Sequence, residues 1–180
     1  MSFASRLASL SAAVLMAGCA VAPKQIDAAG GETLSGRLAV RVEASDGAPA
    51  RSVSAAFELQ GDGDTGRLDL STPLGSVLAQ ARWAPGRVTL TTPQGESRFG
   101  DLDALTREVV GESLPVAALF DWLRGRPWPG AASKANAAPA EAGFEQLGWV
   151  VSLVRFDEAW VAARRDRAPA VTVRAKLDRP

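Results

Sequence analysis

The residue types that most often carry chemistry are scarce in this chain. Of 180 residues none is histidine, and the one cysteine, Cys19, stands directly after an apolar run, in "LMAGC". Ser-His-Asp and Cys-His nucleophilic catalysis, and zinc sites built on His or Cys, therefore lack their parts. Histidine-based proton transfer near neutral pH is excluded with them. A glycosidase-like mechanism would need two carboxylates flanking one bond, whereas the acids here are scattered: Asp69 alternates with leucines, and Asp62 and Asp64 fall in "GDGDTG". That run has neither the third ligand position nor the closing Glu of an EF-hand loop, and it reads as a polar turn. No enzyme, metal site or cofactor is expected. The remaining oddity is apolar. In "STPLGS", Pro73 and Gly75 suit positions i+1 and i+3 of a type I turn, which puts Leu74 beside the apex, where Asp, Asn or Gly would be usual. Such a leucine either folds back over the end of the sheet or stands in solvent.

Cys19 gains meaning from what precedes it. Residues 1–18, "MSFASRLASLSAAVLMAG", combine an early positive charge, Arg6, with an apolar, small-residue run too short to span a bilayer, the pattern of an export signal. With the cysteine at its end, the stretch resembles the lipobox of bacterial lipoproteins, although Met16 stands where leucine is usual and Leu15 lies one place earlier. The resemblance implies cleavage before Cys19 and lipidation of its thiol and new amino group. One acyl chain holds a protein only marginally, so two or three make a lasting anchor. Ala20 stands where an inner-membrane retention signal would have Asp, which favours the outer membrane. Loss of residues 1–18 removes Arg6 and no acid, leaving 19 basic against 20 acidic side chains. This net charge of about −1 gives no attraction for the phosphates that dominate nucleic-acid binding, so nucleic acid is not an expected partner.

The elements around these features are legible from periodicity. A composition 47% hydrophobic and 22% charged, with 17 Gly and 11 Pro, fits one globular domain rich in turns. Residues 19–32 read as a flexible tether and 33–180 as the domain. Period-2 alternation puts Leu34, Leu38, Val40 and Val42 on one face of a first strand. It recurs in "RSVSAAFELQ" (Val53, Ala55, Phe57, Leu59), "RLDL" (Leu68, Leu70), "SVLAQARW" (Val77, Ala79, Ala81, Trp83) and "RVTL" (Val88, Leu90). Short turn-forming links make this an antiparallel meander. Helical spacing follows, first in Leu102, Leu105 and Val109 with Asp101 as N-cap and Gly111 as stop, then in Val116, Leu119, Phe120 and Leu123 between Pro115 and Gly125. Residues 129–142 read as a low-complexity loop, after which strands return in "GWVVSLVRF", "AWVAARR" and "VTVRAKLD". Two short helices must then cover the apolar face of a curved sheet. Either the side chains close into a solid core, or a gap remains that takes an apolar ligand. Trp83 and Trp149 read as core residues, while Trp122 suits either the core or the lid side of a gap.

The runs "SGRLAVRV", "RLDLSTPLGS", "GESLPVAALFDWLRGRPWP" and "GWVVSLVRF", placed behind a lipobox, resemble the LolB family of outer-membrane lipoprotein receptors, from about Leu34 onward. The most specific parts are "PLGS" and the set Leu114, Pro115, Leu119, Trp122, Leu123, Gly125 and Pro127. The resemblance implies a mainly β fold: an incomplete, strongly curved antiparallel β-barrel closed by a helical lid over a hydrophobic cavity. Acyl chains of lipoproteins would occupy that cavity among Leu38, Val40, Phe57, Leu68, Leu70, Val88, Leu90, Leu105, Leu119, Trp122, Leu123 and Trp149. It further implies a monomer, lipid-anchored at the periplasmic face of the outer membrane through Cys19, that accepts lipoproteins from a LolA-like carrier and places them in the inner leaflet without nucleotide hydrolysis. Pro73, Leu74 and Gly75 would form a protruding loop that touches outer-membrane phospholipid. Two other readings compete: an envelope scaffold lipoprotein with a filled barrel, and a carrier of small lipids.

Overall fold

The structure is a computed structural model and describes residues 33–45, 47–136 and 142–178; the signal, the tether and Cys19 lie outside them. Among the described residues, eleven antiparallel strands form one sheet. The first six make the meander: β1 (Leu34–Val42), β2 (Arg51–Gly61), β3 (Gly66–Ser71), β4 (Val77–Ala84), β5 (Arg87–Thr92) and β6 (Gly95–Phe99). Helices α1 (Leu102–Val110) and α2 (Val116–Leu123) follow. The chain then re-enters the sheet as β7 (Ser133–Ala135), β8 (Gly143–Gln146), β9 (Trp149–Ser152), β10 (Trp160–Arg165) and β11 (Val171–Leu177). The strand order is β6-β5-β4-β3-β2-β1-β11-β10-β9-β8-β7, so β11 closes onto β1 and the sheet ends on the unpaired edges of β6 and β7. It is an incomplete barrel, as expected from the resemblance.

The alternation in β1 and β2 translates directly into register. Val40 opposes Val53 and Val173, and Leu38 opposes Ala55 and Ala175, so each apolar row runs across three strands. Helix α1 starts where its sequence says it should. The Asp101 carboxylate accepts from the Ala104 amide at 2.7 Å, Asp103 adds negative charge to the first turn, and Gly111 ends the helix in the left-handed region at φ 87°. The helix packs across β1, β2, β5 and β6. Helix α2 is apolar on nearly all sides and correspondingly buried, with Ala118, Phe120, Trp122 and Leu123 in the core.

Three strands depart from the reading of the sequence. Strand β6, "GESRF", has four exposed residues followed by one partly buried, and so carries no alternation to detect. Strand β7, "SKA", lies inside the segment read as a loop and is fully exposed. Strand β8, "GFEQ", alternates through a polar residue: Phe144 and Gln146 are both buried. The run "GWVVSLVRF" is a strand only to Ser152, beyond which Phe156–Glu158 form a single 3-10 turn.

A further difference concerns Val77. Even alternation places it on the inner face with Ala79, Ala81 and Trp83. Instead the register shifts beside the turn: Leu70 pairs with Ala79, but Ser71 pairs with Val77, leaving Leu78 as an extra residue in β4. This β-bulge sets two residues of β4 against one of β3. Val77 and Leu78 are 51% and 40% exposed.

Candidate functional site

Under α1 and α2 the inner face of β1–β5 and β11 does not close. A cavity of about 140 Å³ remains. Of the residues expected there, Leu38, Val40, Phe57, Leu68, Leu70, Leu90, Leu105, Leu119 and Leu123 line it. Val88, Trp122 and Trp149 do not, which corrects their assignment. Val88 lies behind the lining, packed among buried core residues. Trp122 faces away from the cavity, where its ring meets Phe144 and Trp149 with centroids 6.4 and 6.1 Å apart. The physical reason is that α2 is buried on two sides. Val116, Leu119 and Leu123 take the cavity, and Phe120 and Trp122 take the solid core, Phe120 meeting Trp83 edge-to-face at 5.7 Å.

Reading by strands missed much of the remaining lining: Val53, Leu59, Ala79 and Ala81 from the sheet, Val109, Val110, Leu114 and Val116 from the lid, and Val173 and Ala175 from β11. Most of these lie on the same alternating faces, so the signal was present and only the choice of residues was too narrow. Among the described residues, Thr106 is the one polar residue of the lining. Its hydroxyl donates to the Asp103 carbonyl at 3.2 Å and accepts from the Leu114 amide at 3.1 Å, so its hydrogen-bonding demand is met within the lid. The lining offers an apolar solute no competing polar group.

Trp122 anchors the lid from the other side. It is 0% exposed, and its indole N–H donates to Gln146 Oε1 at 2.8 Å. Gln146 is a buried polar hub: the same oxygen accepts from the Trp128 amide, and its Nε2 donates to the carbonyls of Trp128 and Ala131, each at 2.7 Å. The corner between the helices is tied separately. Glu112 Oε2 accepts from Arg165 at 2.8 Å, and the buried Arg165 also donates to the Pro169 carbonyl and lies over the Trp149 ring. Neither hub was read from the sequence, because Gln and Arg in a strand suggest the solvent side.

Leu74 stands clear of the domain. The Gly75 amide donates to the Thr72 carbonyl and the Thr72 amide to the Ser76 carbonyl, each at 2.9 Å, while the Ser76 amide donates to the Thr72 hydroxyl at 3.1 Å. This closes a tight turn with Pro73 and Leu74 at its centre and Gly75 in the left-handed region at φ 85°. Leu74 is 95% exposed. It does not fold back over the sheet. Leu70 and Ala79, the inner pair nearest this turn, both line the cavity. The turn that carries Leu74 therefore joins β3 and β4 at the end where Leu70 and Ala79 line the cavity.

The polar turn "GDGDTG" is occupied by its own backbone. Asp62 Oδ1 accepts from the amides of Asp64 and Thr65, and the Asp62 carbonyl accepts from the Trp83 indole at 2.9 Å.

Comparison with known proteins agrees with this architecture. The family model described as outer membrane lipoprotein LolB matches residues 33–175. The chain is 36% identical to the outer-membrane lipoprotein LolB of Bordetella pertussis over 176 residues, covering 92% of this chain and 88% of that protein. It is 36% identical to the LolB of Cupriavidus pinatubonensis, covering 89% and 79%, and 31% identical to that of Chromobacterium violaceum, covering 83% and 82%. A half-barrel with an apolar cavity under a two-helix lid, and a match running from the first strand to the last, place this chain in the LolB family of outer-membrane lipoproteins.

Proposed function

We propose that the protein receives the acyl chains of newly made lipoproteins from a LolA-like periplasmic carrier and releases them into the inner leaflet of the outer membrane, where lipid on Cys19 holds it as a monomer. The observation that carries this reading is the continuity between cavity and tip: the inner pair Leu70 and Ala79 line the cavity immediately below the turn that carries Leu74. Acyl chains leaving the cavity there emerge beside a leucine suited to enter hydrocarbon. No bond is made or broken. Each buried methylene gains about 0.8 kcal/mol on leaving water, and the chain moves toward whichever apolar phase holds it more tightly.

The size of the cavity adds a requirement. Pockets that enclose small ligands usually measure about 300–1,000 Å³, and this one holds about 140 Å³. Entry of an acyl chain therefore involves displacement of the lid. Helix α1 is the element that moves: α2 is fixed by the Trp122–Gln146 bond and its aromatic neighbours, whereas α1 lays Leu105, Val109 and Val110 over the cavity.

The test is a transfer assay with a loaded carrier and phospholipid vesicles. Leu74→Glu leaves acceptance of lipoprotein from the carrier unchanged and abolishes delivery to the vesicles, because burying an unpaired carboxylate in hydrocarbon costs several kcal/mol. Normal delivery by this variant would overturn the role given to the turn.

A further inference from the structure

The bulge in β4 gives this tip a second tier. Regular pairing would turn Val77 inward, toward the cavity. The shift from Leu70–Ala79 to Ser71–Val77 sets both Val77 and Leu78 against Ser71, and both stand well exposed, directly behind the 95% exposed Leu74. Three of the large apolar side chains that the domain exposes are thus gathered within five residues of one hairpin. Natural sheets usually guard such a place with charge. Here the guard is missing: no residue from Ser71 to Ala81 is charged. The flanking strands repeat the pattern on both sides. Ser52–Phe57 of β2, which runs past the end of β3, and Val88–Gly95, which includes the β5–β6 turn at the same end, are also free of charge. The polar groups that remain around the tip are hydroxyls and an amide, in Ser71, Thr72, Ser76, Thr92 and Gln94. A surface with apolar projections, neutral hydrogen-bonding groups and no charge matches the depth profile of a bilayer, hydrocarbon below and a hydrated interface above. It suits a protein rim less well, since such rims are polar and commonly charged.

We infer that Val77 and Leu78 form, with Leu74, a three-residue wedge that enters the phospholipid leaflet, the bulge serving to turn Val77 out of the cavity wall and into the membrane contact. This rests on the membrane role proposed for Leu74 and extends it. Leu74 leads; Val77 and Leu78 follow beside the Leu70–Ala79 pair that lines the cavity, so the leaflet meets the end of the cavity wall rather than the tip of a stalk. Attraction through such a neutral surface is independent of ionic strength.

The test uses the mature chain, residues 19–180, carrying Cys19→Ala, so that binding to vesicles of phosphatidylethanolamine and phosphatidylglycerol reports the wedge and neither the lipid anchor nor the apolar signal. Val77→Thr with Leu78→Ser lowers vesicle partitioning about tenfold, equivalent to about 1.4 kcal/mol, at low and high salt alike. Binding of a fluorescent fatty acid is unchanged, and Leu78→Met retains partitioning. Should the double variant lose fatty-acid binding, the near-isosteric Val77→Thr alone decides, with a smaller fall in partitioning expected. Unchanged partitioning in these variants, while Leu74→Glu abolishes delivery, overturns the wedge and leaves the Leu74 reading standing. Normal delivery by Leu74→Glu removes the reading beneath it. Normal partitioning with failed acceptance from the carrier would make the patch a protein-docking surface and also overturn the inference.

Discussion

The two sides of this half-barrel treat the same kind of residue differently. Around β8–β10 and the outer side of α2, apolar side chains close completely: Val151 and Trp122 are 0% exposed, and Trp122, Trp149 and Phe144 pack ring against ring. Around β1–β5, equally apolar residues such as Leu38, Leu68, Leu70 and Leu90 are only partly buried and face a gap. The difference lies in side-chain volume and in the polar pins. The closed side has aromatic residues to fill it and a satisfied Gln146 network to fix α2, whereas the open side has leucines, valines and alanines under a helix held by apolar contact. One side is filled, and the other keeps an apolar gap.

That contrast can be broken from either side. The largest effect belongs to Trp122→Ala, which removes a fully buried ring and leaves Gln146 short of one partner. A loss of about 3–5 kcal/mol is expected in chemical denaturation. A loss below about 2 kcal/mol would mean that the closed side is not tightly packed. Leu68→Ala, on the open side, costs less than the 2–5 kcal/mol usual for a Leu in a packed core, because part of its surface already faces the gap. It should weaken fatty-acid binding in a titration. A cost equal to that of a fully buried Leu would erase the distinction between the two sides.

The smallest effect is expected at the "GDGDTG" turn, remote from both. Backbone amides, Thr65 first and then Asp64, hold the Asp62 carboxyl below the usual aspartate range. A folded-state pKa below the unfolded value of about 3.9 stabilises at pH above that value, and the contribution is lost as pH falls through it toward the folded pKa. Asp62→Ala therefore lowers stability slightly at pH 7, by about 0.5–1 kcal/mol for the hydrogen bonds removed. The difference from wild type starts to narrow near pH 4 and closes as pH falls toward the folded pKa, as urea denaturation at several pH values will show.

The same contrast explains what could be read in advance. Strands with one buried and one exposed face, β1 to β5 and β11, were legible because alternation is a consequence of that environment. So were both helices, through their caps and stops. Strands β6 and β7 were hidden because exposed edge residues answer to no periodic burial. Strand β8 was hidden because its inward residue Gln146 finds its partners only after the chain through Trp128 and Ala131 has folded over it. The strand part of the cavity lining lies on period-2 faces, but only Leu38, Val40, Phe57, Leu68, Leu70 and Leu90 of it were expected to meet a gap. The two sides of α2 were not legible, since a helix apolar all round gives no sign of which residues meet a gap. The bulge that re-aims Val77 leaves no mark in the local sequence.

The most direct measurement is a fluorescent fatty-acid titration of the mature chain, residues 19–180 with Cys19→Ala, beside the same chain with Leu70→Trp, which puts a ring into the cavity from its wall while leaving the Trp122 side untouched. One saturable site is expected in the first protein and its loss in the second, with the urea midpoint held. Absence of saturable binding in the first protein, or undiminished binding in a folded Leu70→Trp variant, would contradict the claim that the open side of the barrel is where acyl chains are held.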